Sequence, residues 1–104
     1  MGKVTWTSEG ERWVKDIYDY IAKDNPSAAQ RVVQGIYKRA EILERFPEIG
    51  QVYEGSGEQP VRILLYGHFR ITYSILPNRD VDILAVYHGA LDIRRFLGEE
   101  NASD

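Results

Sequence analysis

The sequence predicts an α+β domain in which two helices pack on one face of a small antiparallel sheet. Two stretches with apolar residues at helical spacing come early in the chain, and three strand-like stretches follow a polar loop. Helices segregated from strands in this way are typical of the α+β class. The chain has 104 residues, of which 43% are hydrophobic, so it has material for one domain around one core.

The first half of the chain predicts a short strand at residues 3–7 and then a helical hairpin. Ser8, with Glu11 three residues later, forms a capping box that begins the first helix. Asn25 caps the second helix, which ends before Pro47. The apolar positions that these helices would bury recur at helical spacing: Trp13, Val14, Ile17 and Ile21, then Ala29, Val32, Val33, Ile36, Ala40 and Leu43.

Three strands are predicted after the glycine-rich loop of residues 47–60, at residues 61–65, 69–76 and 81–87. The last of them is apolar enough to be a central strand. The middle strand alternates, so its apolar residues share one face and its polar residues the other. The expected order of elements is β-αα-βββ. The hairpin covers one face of the sheet, which leaves Arg70 and Thr72 pointing toward a partly open face.

Composition narrows the possible functions. There is no cysteine, and no apolar run approaches the ~18 residues of a membrane span, so we expect a cytoplasmic protein. Residues 98–104 carry three acidic and no basic side chains and predict a disordered tail after a domain of residues 1–97. The rest of the chain has thirteen basic and thirteen acidic residues, which gives no broad basic face for direct DNA binding. With two histidines, we expect no metal and no cofactor.

Four stretches, in order along the chain, resemble the RelE/ParE superfamily of toxins from type II toxin–antitoxin systems. They are NPSAA at residues 25–29, RFPEIG at residues 45–50, GHFRITY at residues 67–73 and YHGALDI at residues 87–93. The resemblance implies the β-αα-βββ fold and a toxin that is neutralised by a cognate antitoxin protein.

The superfamily has two known activities, and the resemblance implies one of them. RelE-like members cleave mRNA on the ribosome, whereas ParE-like members inhibit DNA gyrase by protein contact. The loop before Val61 lacks lysine and arginine, and Leu91 stands where an arginine is expected, so the cations that stabilise a transferring phosphoryl group are missing. These departures favour the ParE-like activity. A degenerate, non-toxic homologue is a further alternative.

Several side chains are candidates for contacts with the target or the antitoxin. Arg70 either presents its guanidinium on the open sheet face or pairs with Asp82 on the neighbouring strand. Tyr18 and Tyr20 are expected to face outward from the hairpin, where exposed aromatic residues anchor interfaces. The remaining candidates are Thr72, Arg94 and Arg95, of which the two arginines alternatively complement a helix end.

A catalytic trio belongs only to the ribonuclease alternative. By resemblance to one subgroup of ribosome-dependent nucleases, His88 would be the general acid and Arg70 would bind the phosphate. Glu58 (or Glu54) would be the general base. The simpler interpretation is that His88 caps the end of its strand or bonds to Asp92.

Overall fold

The computed structural model describes residues 2–53 and 60–89, and these form two helices against a five-stranded sheet. The expectations for Glu54, Glu58, Arg94, Arg95 and the acidic tail lie outside the described residues. The elements in chain order are β1 (Val4–Trp6), α1 (Ser8–Ala22), α2 (Pro26–Ala40), a 3₁₀ turn (Glu41–Glu44), β2 (Gln51–Tyr53), β3 (Val61–Tyr66), β4 (Phe69–Ile75) and β5 (Val81–His88). The predicted α+β class is confirmed.

The sheet has the strand order β1-β5-β4-β3-β2. Strands β2 to β5 form an antiparallel meander, whereas β1 pairs in parallel with β5, from Val4 opposite Val81 to Trp6 opposite Ile83. The sheet is therefore mixed at one edge. A strand of three residues is too short for its sequence to indicate which strand it pairs with, so the parallel pairing of β1 was not predicted. The equally short β2 lies inside the polar loop and was not predicted.

The start of α1 is fastened to the sheet by the side chain of Thr7. Its hydroxyl accepts a hydrogen bond from the Gly10 amide (3.0 Å) and donates one to the Ile83 carbonyl (2.8 Å). The expectation that Ser8 and Glu11 form the cap is therefore wrong by one residue. Gly10 lies against the strand so closely that a β-carbon there would be 2.5 Å from the Ile83 oxygen.

The start of α2 agrees with the sequence prediction. The Asn25 side chain accepts a hydrogen bond from the Ala28 amide at 3.0 Å, and Pro26 is the first helical residue. Proline suits this position because the missing amide hydrogen would have no helical partner there. The helical path then tightens into the 3₁₀ turn.

The core lies between the hairpin and one face of the sheet. A bulge in β5 shapes it, because Ala85 pairs with Thr72 and Ile83 with Tyr73, which leaves Leu84 as an extra residue. Because this extra residue interrupts the alternation of β5, Ile83 and Val86 both face the core although they are three residues apart. The buried core residues are Val14, Ile36, Ala40, Leu43, Leu64, Ile71, Tyr73, Val81, Ile83 and Val86. No helix of residues 2–53 and 60–89 is long and apolar enough to cross a membrane.

Candidate functional site

Arg70 lies in the middle of a row of three side chains on the sheet face opposite the core. It pairs with Leu65 on β3 and with Tyr87 on β5, and paired residues project to the same face. Arg70 is half-buried and Leu65 is 58% exposed. No ion pair joins Arg70 to Asp82 within the described residues. Arg70 therefore lies beside an exposed apolar side chain on the sheet face opposite the core.

Tyr87, the cross-strand partner of Arg70 on β5, is buried. Burial raises the pKa of Tyr87, and the Thr72 hydroxyl and the positive charge of Arg70 offset part of this rise. A nearby cation lowers a phenol pKa because it favours the phenolate form.

Thr72 is fully buried, so the expectation that it faces a partner on an open sheet face is wrong. It lies on a central strand between Ile63 and Ala85, and Ser74 on the same side of the strand is only 7% exposed. Alternation correctly placed these residues on the non-core side but could not show that this side is largely buried. The accessible part is the β3–β4 end, around Leu65 and Arg70.

His88 lies at the end of β5, and its ring faces away from Arg70. It pairs with Phe69, and its ring centroid lies 5.3 Å from that of Phe69 and 5.7 Å from that of His68. Since Phe69 and Arg70 are consecutive in a strand, their side chains project to opposite faces. The structure therefore does not bring Arg70 and His88 together as the ribonuclease alternative requires.

The outward tyrosines of α1 agree with expectation. Tyr20 is 76% exposed and Tyr18 is 38% exposed. Trp13, expected in the core, is half-buried with its ring centroid 6.0 Å from that of Tyr87. The Tyr37 ring packs on the Trp6 ring, with 4.5 Å between the two ring centroids.

The segment from Phe46 to Gly50 is a further surface feature, and sequence reasoning missed it. The buried hydroxyl of Tyr73 donates to the Pro47 carbonyl (2.6 Å) and accepts from the Gly50 amide (2.9 Å). The Arg62 guanidinium donates to the Glu48 carbonyl (3.1 Å) and to the Gly50 carbonyl (2.8 Å). The sheet therefore holds this segment by four hydrogen bonds.

The clamped segment turns two apolar side chains outward. Phe46 is 56% exposed and Ile49 is 49% exposed, beside a salt bridge of 3.0 Å between Arg79 and Glu48. The only hint in the sequence was the RFPEIG stretch, in which a proline and a glutamate separate the two apolar residues. These side chains line a shallow depression, hereafter the turn depression, formed by Arg45, Phe46, Pro47, Glu48, Ile49 and Arg79.

No group of three or more histidine, aspartate or glutamate side chains suited to a metal ion occurs within residues 2–53 and 60–89. The described residues offer three surfaces for charged and apolar contacts with another protein. These are Arg70 with Leu65, the exposed tyrosines of α1, and the turn depression.

Comparison with known proteins places this arrangement in a family. Residues 4–93 match the family described as "ParE toxin of type II toxin-antitoxin system, parDE". The candidate toxin Y4kP of Sinorhizobium fredii (strain NBRC 101917 / NGR234) is 34% identical over 86 residues, which cover 83% of this chain and 86% of that protein.

Solved structures share the fold. The chromosomal ParDE toxin–antitoxin system from P. aeruginosa matches with a TM-score of 0.71 at 22% identity, over 86% of this chain and 98% of that chain. The RelBE2 toxin–antitoxin complex from Mycobacterium tuberculosis matches with a TM-score of 0.62 at 22% identity, over 85% of this chain and 98% of that chain. The family match spans every described helix and strand, and on that basis the chain belongs to the ParE toxin family of type II toxin–antitoxin systems.

Proposed function

We propose that this chain is a cytoplasmic toxin that inhibits DNA gyrase by protein contact, without covalent chemistry of its own, and that a cognate antitoxin neutralises it. Membership of the ParE toxin family supports the toxin role. The two similar solved structures are both toxin–antitoxin systems, which supports an antitoxin partner.

The orientation of Arg70 is the observation that most favours binding over cleavage. RNA cleavage by an acid and a phosphate-binding arginine requires both groups at one scissile phosphate. Here Arg70 and His88 project to opposite faces of the sheet. A half-buried guanidinium beside the exposed Leu65 is instead suited to a carboxylate on a protein surface, which it can bind with two parallel hydrogen bonds.

The charge of the chain also favours a protein target. The net charge is −3, all of it from residues 98–104, so the chain lacks the excess of positive charge that attracts the phosphate backbone of RNA or DNA. Protein interfaces, in contrast, take most of their affinity from a few buried residues, most often tryptophan, tyrosine and arginine. Tyr20 and Arg70 are residues of these types.

Expression of the chain alone in bacteria separates the activities. We expect arrest of DNA synthesis, filamentous cells and intact transcripts, because inhibited gyrase damages DNA and leaves mRNA untouched. The His88→Ala variant should remain toxic, since His88 has no role in this mechanism, whereas Arg70→Ala should lose most of its toxicity. Arg70→Lys is the matched control. It keeps the positive charge but removes the bidentate geometry, so it separates the effect of the charge from that of the geometry.

Two results would contradict the proposal. One is a rapid arrest of translation in which transcripts are cut at ribosome-bound positions. If His88→Ala abolished this cutting, the ribonuclease activity would be established instead. Normal growth during expression of soluble protein would establish a degenerate homologue.

A further inference from the structure

The turn depression combines two exposed apolar side chains with a backbone that is already fixed. Phe46 and Ile49 lie three residues apart in a turn that the Ile49 amide closes by donating to the Phe46 carbonyl at 3.2 Å. Both side chains are about half exposed. Aromatic side chains such as Phe46 are enriched at protein interfaces, and residues that fill well-packed pockets there supply most of the binding energy.

The hydrogen bonds beneath the depression keep it in one shape. Tyr73 and Arg62 bond to the backbone of Pro47, Glu48 and Gly50, and Gly50 is buried. A side chain at Gly50 is excluded, because a β-carbon there would lie 2.6 Å from the Tyr73 hydroxyl oxygen. A partner that binds here does not have to order the segment first, so more of the contact energy appears as affinity.

The rim of the depression is positively charged, although the chain is acidic overall. Arg45 and Arg79 lie on the rim with Glu48, and only Arg79 is paired with that carboxylate. Arg45 is exposed and has no ion pair within the described residues. The depression therefore has an unmatched guanidinium beside an apolar floor.

Arg79 is held over the depression by an unusual backbone conformation. Its φ angle is 75°, in the left-handed region that residues other than glycine rarely adopt. Such a conformation costs roughly 1 kcal/mol or more and persists only when surrounding contacts impose it. The hydrogen bonds of the 76–80 turn and the salt bridge to Glu48 are those contacts.

The shape and charge of the depression select one kind of occupant. A folded enzyme needs roughly 800 Å² of surface on each partner, far more than six residues supply, whereas a peptide segment needs only a few anchor pockets. Arg79 neutralises the Glu48 carboxylate, and Arg45 has no ion pair among the described residues, so the rim keeps one positive charge that favours an acidic partner over a basic one. An acidic segment with an apolar side chain fits both conditions.

We propose that the turn depression binds a segment of the antitoxin, which inserts an apolar side chain between Phe46 and Ile49 and places a carboxylate on Arg45. The inference rests on the proposed function, because it assumes an antitoxin. It assigns the antitoxin a contact surface separate from Arg70, which we attribute to the target. A segment that folds on binding would suit such a surface.

Titration of the full-length chain with the protein encoded by the neighbouring gene, measured by calorimetry, tests the inference. The Phe46→Ser and Ile49→Ser double variant should weaken binding at least tenfold. The Arg45→Glu variant should also weaken it, and its deficit should shrink at high salt, where surface charges are screened. Val52→Ser is the matched control, because Val52 is about as exposed on β2 and is assigned to no contact surface, and it should leave this affinity unchanged.

Each other outcome overturns the inference in a distinguishable way. If the wild-type chain does not bind the neighbouring protein, the proposed function fails and the inference fails with it. If the wild type binds and the double variant, with an unchanged unfolding curve, binds equally well, only the inference fails. A double variant that keeps antitoxin binding but loses toxicity would assign the depression to the target.

Discussion

The Tyr73 side chain joins the core of the sheet to the turn that precedes β2. Its ring is fully buried in the core, and its hydroxyl joins β4 to both ends of the Pro47–Gly50 segment. Two of the stretches that resemble the superfamily are therefore in direct contact. The tyrosine that ends GHFRITY holds the backbone of RFPEIG.

The Tyr73→Phe variant should lower the free energy of unfolding by about 1–3 kcal/mol, because it leaves the Pro47 carbonyl and the Gly50 amide without a partner. Urea denaturation measures the loss. Tyr20→Phe removes an exposed hydroxyl and should change the free energy of unfolding by less than about 0.5 kcal/mol. Equal effects of the two variants would contradict the role assigned to Tyr73.

Stability should fall at alkaline pH because of the two buried phenols. Burial raises the pKa of Tyr73 and of Tyr87 in the folded protein, so the folded state holds these protons more tightly than the unfolded state. The two phenols contribute fully to the free energy of unfolding below the pKa of about 10 that tyrosine has in the unfolded chain. This contribution is lost as the pH rises through the higher pKa values of the folded protein.

Denaturation measured between pH 8 and pH 12 tests this expectation. The wild type should lose stability more steeply above pH 10 than Tyr87→Phe does, because phenylalanine cannot ionise. Identical slopes would show that Tyr87 does not contribute.

At the scale of elements, the two helix caps differ in what they hold. Asn25 caps α2 only, whereas the Thr7 hydroxyl caps α1 and also bonds to the β5 backbone at Ile83. The Thr7 cap therefore joins a helix to the sheet, and the Asn25 cap serves a helix alone.

Asn25→Ala should cost about 1 kcal/mol of unfolding free energy, as the loss of a helix cap usually does. Thr7→Ala should cost about 2 kcal/mol, because a bond to the sheet is lost as well. Thermal unfolding of the two variants side by side measures the difference. A smaller loss for Thr7→Ala than for Asn25→Ala would contradict the idea that this hydroxyl joins α1 to β5.

Local patterns in the sequence predicted the long elements well and the short ones poorly. Helical spacing and the Asn25 cap located α2, and alternation placed Ile71 and Tyr73 in the core. The strand at residues 3–7 was predicted and is β1, but its parallel pairing with β5 was not, because no local pattern shows which distant strand it pairs with. The three-residue β2 was not predicted at all.

At the scale of the whole molecule, the candidate site depends on facts that only the folded chain shows. Alternation put Arg70 and Thr72 on one face, but the burial of Thr72 depends on neighbouring strands. The opposed directions of Arg70 and His88 follow from the pairing register of β4 with β5. The turn depression exists because Tyr73 and Arg62, distant in sequence, hold its backbone.

The family and the arrangement of side chains together favour a toxin that acts by contact. The direct test is a DNA supercoiling assay with purified gyrase and the purified chain, with His88→Ala and Arg70→Ala alongside. We expect the wild type and His88→Ala to inhibit supercoiling equally and Arg70→Ala to inhibit at least tenfold less. Absence of inhibition by the wild type, together with cleavage of mRNA on purified ribosomes, would contradict the account.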